Sequence, residues 1–269
     1  MASFEVFRGK WALVTGASAG IGAALARELA SHGAKLILTA RRRERLQALA
    51  AELASRGTES RIVVADLTDP AAPQQIYDAS EGAGLAVDIL INNAGLGQYG
   101  AFSSNRAEQD VRQVRVNCEA VVRLSRLFVP RMVERRRGWV LIVSSMASFQ
   151  PMPYSATYAA TKVFDRFLSL GLAAEVEPYG IKVTALCPGP VPTEFATVAG
   201  WSGLSQRLGS QSAEEVARKA IHALVRGRRT IVPTFKGVFL MSLERFIPMS
   251  VILAILEKSL RSGGTSVRP

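Results

Sequence analysis

The sequence has 269 residues, of which 48% are hydrophobic and 20% charged, close to the ordinary usage of globular proteins. It contains no unbroken run of 18 apolar residues, so a membrane-spanning helix is not expected. The net charge of +11 comes from basic residues that are spread along the chain, with clusters at Arg41–Arg43, Arg135–Arg137 and Arg226–Arg229 and no aromatic residues interleaved with them. This arrangement argues against a nucleic-acid partner.

The cysteine and histidine contents argue against a metal site. Cys118 and Cys187 are too few for a disulfide framework and match no metal motif, so we expect reduced thiols. His32 and His222 are the only histidines, and we expect no metal. The N-terminal segment lacks the features of a signal peptide, which together with the reduced thiols favours a cytoplasmic location.

Short apolar runs alternate with longer amphipathic stretches along the chain. Strands are predicted at residues 11–15, 35–40, 61–66, 87–93, 138–145, 181–189 and 230–233. Helices are predicted at residues 21–33, 43–57, 71–80, 106–136, 157–180 and 212–227. Apolar strands that alternate with helices indicate a parallel sheet covered on both faces. We therefore expect a single-domain α/β, doubly wound Rossmann fold with a seven-stranded parallel sheet at residues 1–235, and a C-terminal helical extension at 236–269.

Two further local features lie near the predicted sixth strand. Residues 190–211 are rich in Gly, Ser and Thr without a clear period, and are predicted to form a loop at the ligand end of the sheet. Ser212 and Glu215 form a capping box at the start of the helix 212–227.

A glycine-rich turn follows the first strand and opens the first helix. Its glycines allow a tight turn and close backbone approach to a pyrophosphate, and the helix N-terminus offers free N–H groups. A plain tight turn is the alternative. The candidate cofactor residues are Gly16, Ser18, Ala19, Gly20, Ile21 and Gly22.

The same turn also fits Gly-x-Ser-x-Gly, the nucleophile elbow of α/β-hydrolases. That alternative makes Ser18 a nucleophile, followed in the chain by an acid and then a histidine, and His222 is the only histidine far enough downstream. However, His222 lies inside a predicted helix, and the sequence has no His-Gly-Gly-Gly segment for an oxyanion hole. The hydrolase is therefore a remote alternative.

The end of the second strand predicts the type of dinucleotide. Ala40 stands where an NAD-binding site has an acid that accepts from the ribose 2′-hydroxyl. Arg41 and Arg42 offer guanidinium groups for a 2′-phosphate, which favours NADP(H) over NAD(H). The alternative is that these arginines only solvate the next helix.

Polar residues end the third and fourth strands. Asp66 and Leu67 follow the third strand, and Asn92–Gly95 follow the fourth, where ligands bind in parallel sheets. Asn93, Ala94 and Gly95 are candidate cofactor residues. Asp66 could accept a hydrogen bond from an adenine or cap the turn through Thr68, and both options stay open.

Tyr158 and Lys162 are four residues apart in a predicted helix, on one face. A nearby cation stabilises a phenolate and lowers the pKa of a tyrosine, which is otherwise about 10. Ser145, at the end of the fifth strand, can point towards the same place. A surface Tyr–Lys pair is the alternative for this motif taken alone.

The combined pattern resembles the short-chain dehydrogenase/reductase family across residues 8–235, in particular NADP(H)-dependent 3-oxoacyl and hydroxysteroid-type reductases. The matching positions are Thr15–Gly22, Asp66, Asn92–Gly95, Asn117, Ser145, Tyr158, Lys162, and Pro188-Gly189 through Thr193.

The resemblance implies a role for each matching residue. Tyr158 would be the general acid or base, and Ser145 would orient the substrate oxygen. Lys162 would bind the nicotinamide ribose and lower the Tyr158 pKa, while Asn117 would hold a water in a proton relay. The nicotinamide carboxamide would contact Pro188, Gly189, Val191 and Thr193.

The residues expected to line the substrate pocket are mostly apolar, which predicts a hydrophobic carbonyl or secondary alcohol as substrate. They are Ser145, Met146, Gln150, Met152, Tyr154, Phe195 and Trp201. An NADP(H)-binding sensor or scaffold without turnover is the non-enzyme alternative.

The C-terminal segment contains an apolar run at Phe246–Leu256, similar to the ends of family members that act on lipid-like ketones. It could touch a membrane surface, but packing on the core or on a second subunit is favoured. The resemblance also implies a homodimer or homotetramer that uses the helices 106–136 and 157–178.

Overall fold

The structure is a computed structural model, and it describes residues 4–201, 211–235, 237–239 and 246–261. Its described strands are β1 (Trp11–Thr15), β2 (Lys35–Ala40), β3 (Ser60–Val64), β4 (Val87–Asn92), β5 (Gly138–Val143), β6 (Ile181–Leu186) and β7 (Thr230–Ile231). They form one seven-stranded parallel sheet in the order β3-β2-β1-β4-β5-β6-β7. The sheet is wound outward from β1 and β4 in both directions, which confirms the predicted doubly wound Rossmann fold.

Helices cover both faces of the sheet. The described α-helices are α1 (Gly20–Ser31), α2 (Arg43–Ala54), α3 (Ala72–Asp78), α4 (Ala107–Val114), α5 (Ala120–Arg135), α6 (Ala156–Val176), α7 (Glu194–Val198), α8 (Ala213–Val225) and α9 (Met249–Arg261). On one face, α1, α2 and α8 pack around Leu25, Leu38 and Ile221. On the other face, α3, α5 and α6 pack around Leu90 and Phe128. The central strands are therefore buried on both sides, as their continuous apolar sequences predict.

The segment 106–136, predicted as one helix, contains an interruption. It consists of α4 and α5 joined by a π-helical turn at Arg115–Glu119. Such turns are frequent at functional sites. Amphipathic periodicity does not register a change of pitch over a single turn, so the sequence predicted a continuous helix. The turn carries the buried residue Asn117 into the interior.

The segment 190–211 is not entirely a loop. Residues Glu194–Val198 form α7, a helix of five residues that is too short to show a period in the sequence. Residues 202–210 lie outside the described residues. Further along, the hydroxyl of Ser212 accepts a hydrogen bond from the backbone N–H of Glu215 at 3.1 Å, the capping contact predicted for α8.

The C-terminal helix α9 is attached to the rest of the protein by side-chain hydrogen bonds. The Tyr99 hydroxyl donates to the backbone carbonyl of Leu260, and the Tyr154 hydroxyl donates to Oε1 of Glu257 at 2.9 Å. Its outer face leaves Val251 and Ile255 exposed. Within the described ranges, no helix combines the length and apolar character needed to cross a bilayer.

Candidate active site

A cavity of about 600 Å³ lies at the carboxyl ends of the strands. It runs from the glycine-rich turn after β1 to Tyr158 and the inner side of α9. Every predicted cofactor residue lines it, and so does every predicted substrate residue except Tyr154. The parallel topology explains this convergence, because all strands end at the same edge of the sheet.

The glycine-rich turn is packed so tightly that side chains do not fit. Gly16 has a φ of +67°, and a Cβ atom there would lie 2.8 Å from Nδ2 of Asn93. A Cβ atom at Gly22 would lie 2.3 Å from the carbonyl oxygen of Gly16. Helix α1 begins at Gly20, on the cavity wall. Its free N–H groups and positive dipole end suit the pyrophosphate of a dinucleotide, so these residues fit such a cofactor.

Hydrogen bonds between β1 and the loop after β4 hold the floor of this turn. The Thr15 hydroxyl accepts from the backbone N–H groups of Asn93 and Ala94, both at 2.9 Å. The Asn93 side chain donates to the carbonyl of Thr15 at 2.8 Å. The predicted Asn93–Gly95 segment is therefore fixed against the glycine-rich turn.

Both arginines after β2 face carboxylates across the groove. Nη1 of Arg42 lies 2.8 Å from Oε2 of Glu194 on α7, and Nη2 donates to the Ser18 hydroxyl at 3.2 Å. Arg41 lies 3.9 Å from Asp66, in a longer ion pair. Arg42 and Ser18 thus form one cluster at the glycine-rich turn.

The structure shows the turn-capping role that the sequence left open for Asp66. Its Oδ1 accepts from the backbone N–H of Thr68 at 3.0 Å. Asp66 and Leu67 also line the cavity, so the residue caps its turn while it faces the ligand space.

Ser145 and Tyr158 meet at the centre of the cavity. Strand β5 ends at Val143, two residues before the predicted end, so Ser145 begins a 3₁₀ turn at which its hydroxyl accepts from Ala147 N at 3.1 Å. Tyr158 lies in the first turn of α6 with 6% of its surface exposed. The Ser145 side chain faces Tyr158 and lowers the pKa of the phenol.

Burial dominates the acidity of Tyr158. It raises the pKa of the phenol above its usual value, while the Lys162 ammonium and the Ser145 side chain act in the opposite direction. The lowering influence of Lys162 expected from the sequence is present, but burial outweighs it. The phenol is therefore protonated at neutral pH and can act as a proton donor.

Lys162 lies beneath Tyr158, with its Nζ 5.9 Å from the centre of the tyrosine ring. The ammonium donates to the carbonyl oxygen of Val143 at 2.8 Å and to Oδ2 of Asp165 at 2.9 Å. Burial alone would lower the pKa of Lys162, but the Asp165 carboxylate and Tyr158 outweigh it and raise the pKa. Lys162 is therefore a buried cation held on one face of α6.

The side chain of Asn117 anchors the loop after β4. Its Nδ2 donates to the carbonyl of Leu96 and to the Thr161 hydroxyl, both at 2.9 Å, and its Oδ1 accepts from Leu96 N at 2.8 Å. The amide has thus committed both of its N–H groups to protein partners. In this structure Asn117 connects the π-helical turn to α6 and to the loop that borders Lys162.

Aromatic side chains form the wall beside Tyr158. The Trp201 ring meets Tyr158 edge-on with centroids 4.7 Å apart, and Phe195 lies 5.9 Å from Tyr158. Met146, Gln150 and Met152 line the same end of the cavity. This end is therefore mostly apolar, with a few polar groups such as the Ser145 and Tyr158 hydroxyls and the Gln150 amide, which suits a hydrophobic carbonyl compound.

Tyr154, predicted to line the substrate pocket, is not among the residues that line this cavity. Its backbone adopts a left-handed φ of +62°, and its hydroxyl binds Glu257 on α9. The side chain therefore anchors α9 outside the cavity lining. Tyr99, Leu256, Ser259 and Leu260 also line the cavity and were not among the predicted residues. For Leu256 and Leu260, the helical spacing of apolar residues 252, 256 and 260 was the available signal.

The geometry argues against the hydrolase alternative. The Ser18 hydroxyl accepts from Arg42, a cation that cannot act as a base. His222 packs edge-on against Phe4 with ring centroids 4.6 Å apart, on the α8 side of the sheet. In the described part of the chain, no group of three His, Cys, Asp or Glu side chains is placed to hold a metal ion.

Comparison with known proteins places these residues in a family. The sequence model of the short chain dehydrogenases matches residues 10–201. The protein belongs to this family. Over 198 residues it is 35% identical to the very-long-chain 3-oxoacyl-CoA reductase of Anas platyrhynchos, covering 71% of this chain and 62% of the duck protein. The chain thus spans less than two thirds of that relative.

Two further short-chain dehydrogenase relatives cover nearly all of this chain. The very-long-chain 3-oxoacyl-CoA reductase of Homo sapiens is 30% identical over 264 residues, covering 94% of this chain and 81% of the human protein. A solved short-chain dehydrogenase from Sphingobium yanoikuyae, in complex with NADPH, is 32% identical with a TM-score of 0.80. That likeness covers 97% of this chain and 98% of the other.

Proposed function

We propose that this protein is an NADP(H)-dependent short-chain dehydrogenase/reductase that interconverts a hydrophobic carbonyl compound and its secondary alcohol. One observation carries the proposal: Ser145, Tyr158 and Lys162 converge in a cavity whose other end is a glycine-rich dinucleotide turn. The relatives named as 3-oxoacyl-CoA reductases support a lipid-like substrate.

Each of the residues around Tyr158 has a separate role in the proposed reaction. A bound nicotinamide supplies the hydride, which is chemistry that protein side chains lack. Tyr158 donates a proton from its hydroxyl to the carbonyl oxygen in reduction, and takes it back in oxidation. Ser145 donates a hydrogen bond to the same oxygen and orients it. Lys162 binds the nicotinamide ribose and stabilises the phenolate when it forms.

We further propose that NADP(H) is preferred over NAD(H). Ala40 offers no carboxylate to a ribose hydroxyl, whereas Arg42 and Ser18 form a donor cluster beside the glycine-rich turn. The complex of the Sphingobium relative with NADPH supports this preference. The carboxylate of Glu194 on Arg42 moderates the positive charge of the cluster without removing its donors.

The protein is also proposed to self-associate through α4 and α6. Val111 and Val114 on α4, and Phe164 and Phe167 on α6, are large apolar residues that remain exposed in the single chain. A dimer or tetramer would cover them. Light scattering coupled to size-exclusion chromatography measures the state directly, and a monomer would overturn this part of the proposal. Cytoplasmic location stays a prediction from the sequence.

The deciding experiment measures NADPH oxidation with a panel of ketones, including 3-oxoacyl thioesters, steroids and small sugars, in the wild-type protein and in Tyr158→Phe. Loss of general acid catalysis should reduce kcat by about 10²–10⁴-fold. Fluorescence titration should show that Tyr158→Phe still binds NADPH. Full turnover by the variant would overturn the proposal, and NADPH binding without turnover of any ketone would favour the sensor alternative.

A further inference from the structure

A second buried ionisable group lies directly behind the proposed acid–base residues. Asp165 is on α6, one helical turn after Lys162, and only 1% of its surface is exposed. Its Oδ2 lies 2.9 Å from Nζ of Lys162. None of the roles assigned above to the site residues uses this carboxylate.

Burial of a carboxylate needs a compensating partner, because desolvation penalises the charged form strongly. Lys162 is the hydrogen-bond partner of Asp165, and it binds Oδ2. The other oxygen, Oδ1, is buried without a hydrogen-bond partner among the described residues. The structure thus places a half-satisfied buried acid next to the active-site cation.

Asp165 takes up one of the hydrogen-bond donors of the Lys162 ammonium. A lysine ammonium has three N–H donors. Two of them are directed to Val143 O and to Asp165, which leaves one for the ribose of the proposed cofactor. A Cβ atom at Gly95 would lie 3.6 Å from Nζ, so the loop after β4 also borders the ammonium. The ammonium therefore has one fixed position beneath Tyr158.

We propose that Asp165 is a positioning residue of the active site, which fixes the Lys162 ammonium and offsets its charge so that Tyr158 works as a proton donor to a carbonyl. This inference rests on the proposed function and deepens it. Asp165 acts through Lys162 and touches neither substrate nor cofactor.

The electrostatic effects agree with this geometry. Burial is the largest influence on Tyr158 and raises its pKa, Lys162 opposes this rise, and the Asp165 carboxylate adds to it. Burial also raises the pKa of Asp165 to about 6, against the lowering effect of Lys162, so the carboxylate is charged at neutral pH. Lysine and aspartate then form an almost neutral pair, and the phenol keeps its proton to higher pH.

Two further titratable groups that face this pair carry no charge in the working range. They are the thiols of Cys118, on the π-helical turn, and Cys187, which follows β6. Burial raises the pKa of Cys118 to about 12 and that of Cys187 to about 11. Arg166, the next residue on α6, places its guanidinium 4.2 Å from the centre of the Phe149 ring. Asp165 is therefore the group that offsets Lys162.

The test is the pH dependence of ketone reduction by Asp165→Asn, which keeps the size of the side chain and removes its charge. Reduction requires protonated Tyr158, so kcat/KM falls when pH rises through the apparent pKa of that residue. Without the carboxylate the phenolate is easier to form, and the alkaline limb should move about one unit towards lower pH. The acid limb of alcohol oxidation should move in the same direction.

Asp88→Asn is the matched control. Asp88 is also a buried acid, with 2% of its surface exposed, but it pairs with Arg135 and Arg137 at the opposite end of the sheet. This variant should lose stability without any shift of the pH profile. If Asp165→Asn does not accumulate as folded protein, Asp165→Ser, which is smaller and leaves room for a water, repeats the measurement.

The outcomes separate the inference from the proposed function. A limb displaced to lower pH in the Asp165 variant, but not in Asp88→Asn, supports the inference. A limb that stays in place or moves to higher pH, while Tyr158→Phe is inactive, overturns the inference alone. Full activity of Tyr158→Phe overturns the proposed function and, with it, the role of Asp165.

Discussion

Tyr158 and Trp201 meet edge-on, with their ring centroids 4.7 Å apart and their planes at 78°. Trp201 is held in this position by a hydrogen bond from its Nε1 to the Ser155 hydroxyl at 3.1 Å. The contact joins the proposed acid–base residue to the segment after α7. It makes the substrate wall and the position of Tyr158 dependent on each other.

Replacement of Trp201 should therefore weaken catalysis on hydrophobic ketones. An edge-to-face aromatic pair contributes about 0.5–1.5 kcal/mol, so Trp201→Ala should lower kcat/KM by roughly threefold to tenfold. Trp201→Phe keeps a ring but loses the hydrogen bond to Ser155. Its kcat/KM should lie between those of the wild type and Trp201→Ala. Steady-state kinetics on one ketone measures this order, and an unchanged kcat/KM in Trp201→Ala would remove Trp201 from the substrate wall.

Much of this site follows from local sequence, and the rest depends on contacts between distant segments. The glycine-rich turn and the spacing of Tyr158 and Lys162 are local patterns, and they predicted the two ends of the cavity. The five-residue helix α7 is too short to show a period. Tyr154 points to Glu257 because of a left-handed backbone conformation that a tyrosine rarely adopts. The sequence pattern of apolar and polar residues in α6 also does not reveal that Asp165 is buried and pairs with Lys162.

The Arg42–Glu194 ion pair predicts how the cofactor preference can be changed. Arg42→Ala should raise the KM for NADPH by about tenfold, because a charge-assisted hydrogen bond to the 2′-phosphate is lost, and should leave the KM for NADH unchanged. Glu194→Gln should lower the KM for NADPH, since it frees Arg42 from a competing carboxylate. Kinetics with both dinucleotides at two salt concentrations measure these changes.

Arg45→Ala provides the control for this pair of variants. Arg45 also binds Glu194, at 2.6 Å, but it does not line the cavity. Its removal should change the KM for NADPH far less than the removal of Arg42. Equal effects of the two variants would mean that long-range charge, rather than a contact with the 2′-phosphate, sets the preference.

Gly22 should tolerate no side chain. A Cβ atom there would lie 2.3 Å from the Gly16 carbonyl oxygen and 2.4 Å from Nδ2 of Asn93. Gly22→Ala must displace this backbone, and should lower the free energy of unfolding by about 1–3 kcal/mol. The affinity for NADPH should fall as well. Gly171→Ala on α6 is the control, because a Cβ atom there meets nothing within 4 Å. It should be neutral or stabilising by up to about 1 kcal/mol in urea unfolding.

Helix α9 should set the size of substrate that the cavity accepts, because Leu256 projects from it into the cavity. Leu256→Trp adds bulk at this end, far from the glycine-rich turn. It should raise the KM for long 3-oxoacyl thioesters while small ketones keep their kcat/KM, since they occupy only the space beside Tyr158 and Ser145.

Leu253→Trp is the matched control for this prediction, because Leu253 lies on the same helix but is 37% exposed and does not line the cavity. The measurement is kcat/KM against chain length for both variants and the wild type. A chain-length dependence that changes only in Leu256→Trp assigns the substrate wall to the inner face of α9. The same dependence in all three proteins would show that long substrates leave the cavity by another path, and α9 would then serve to cover the site.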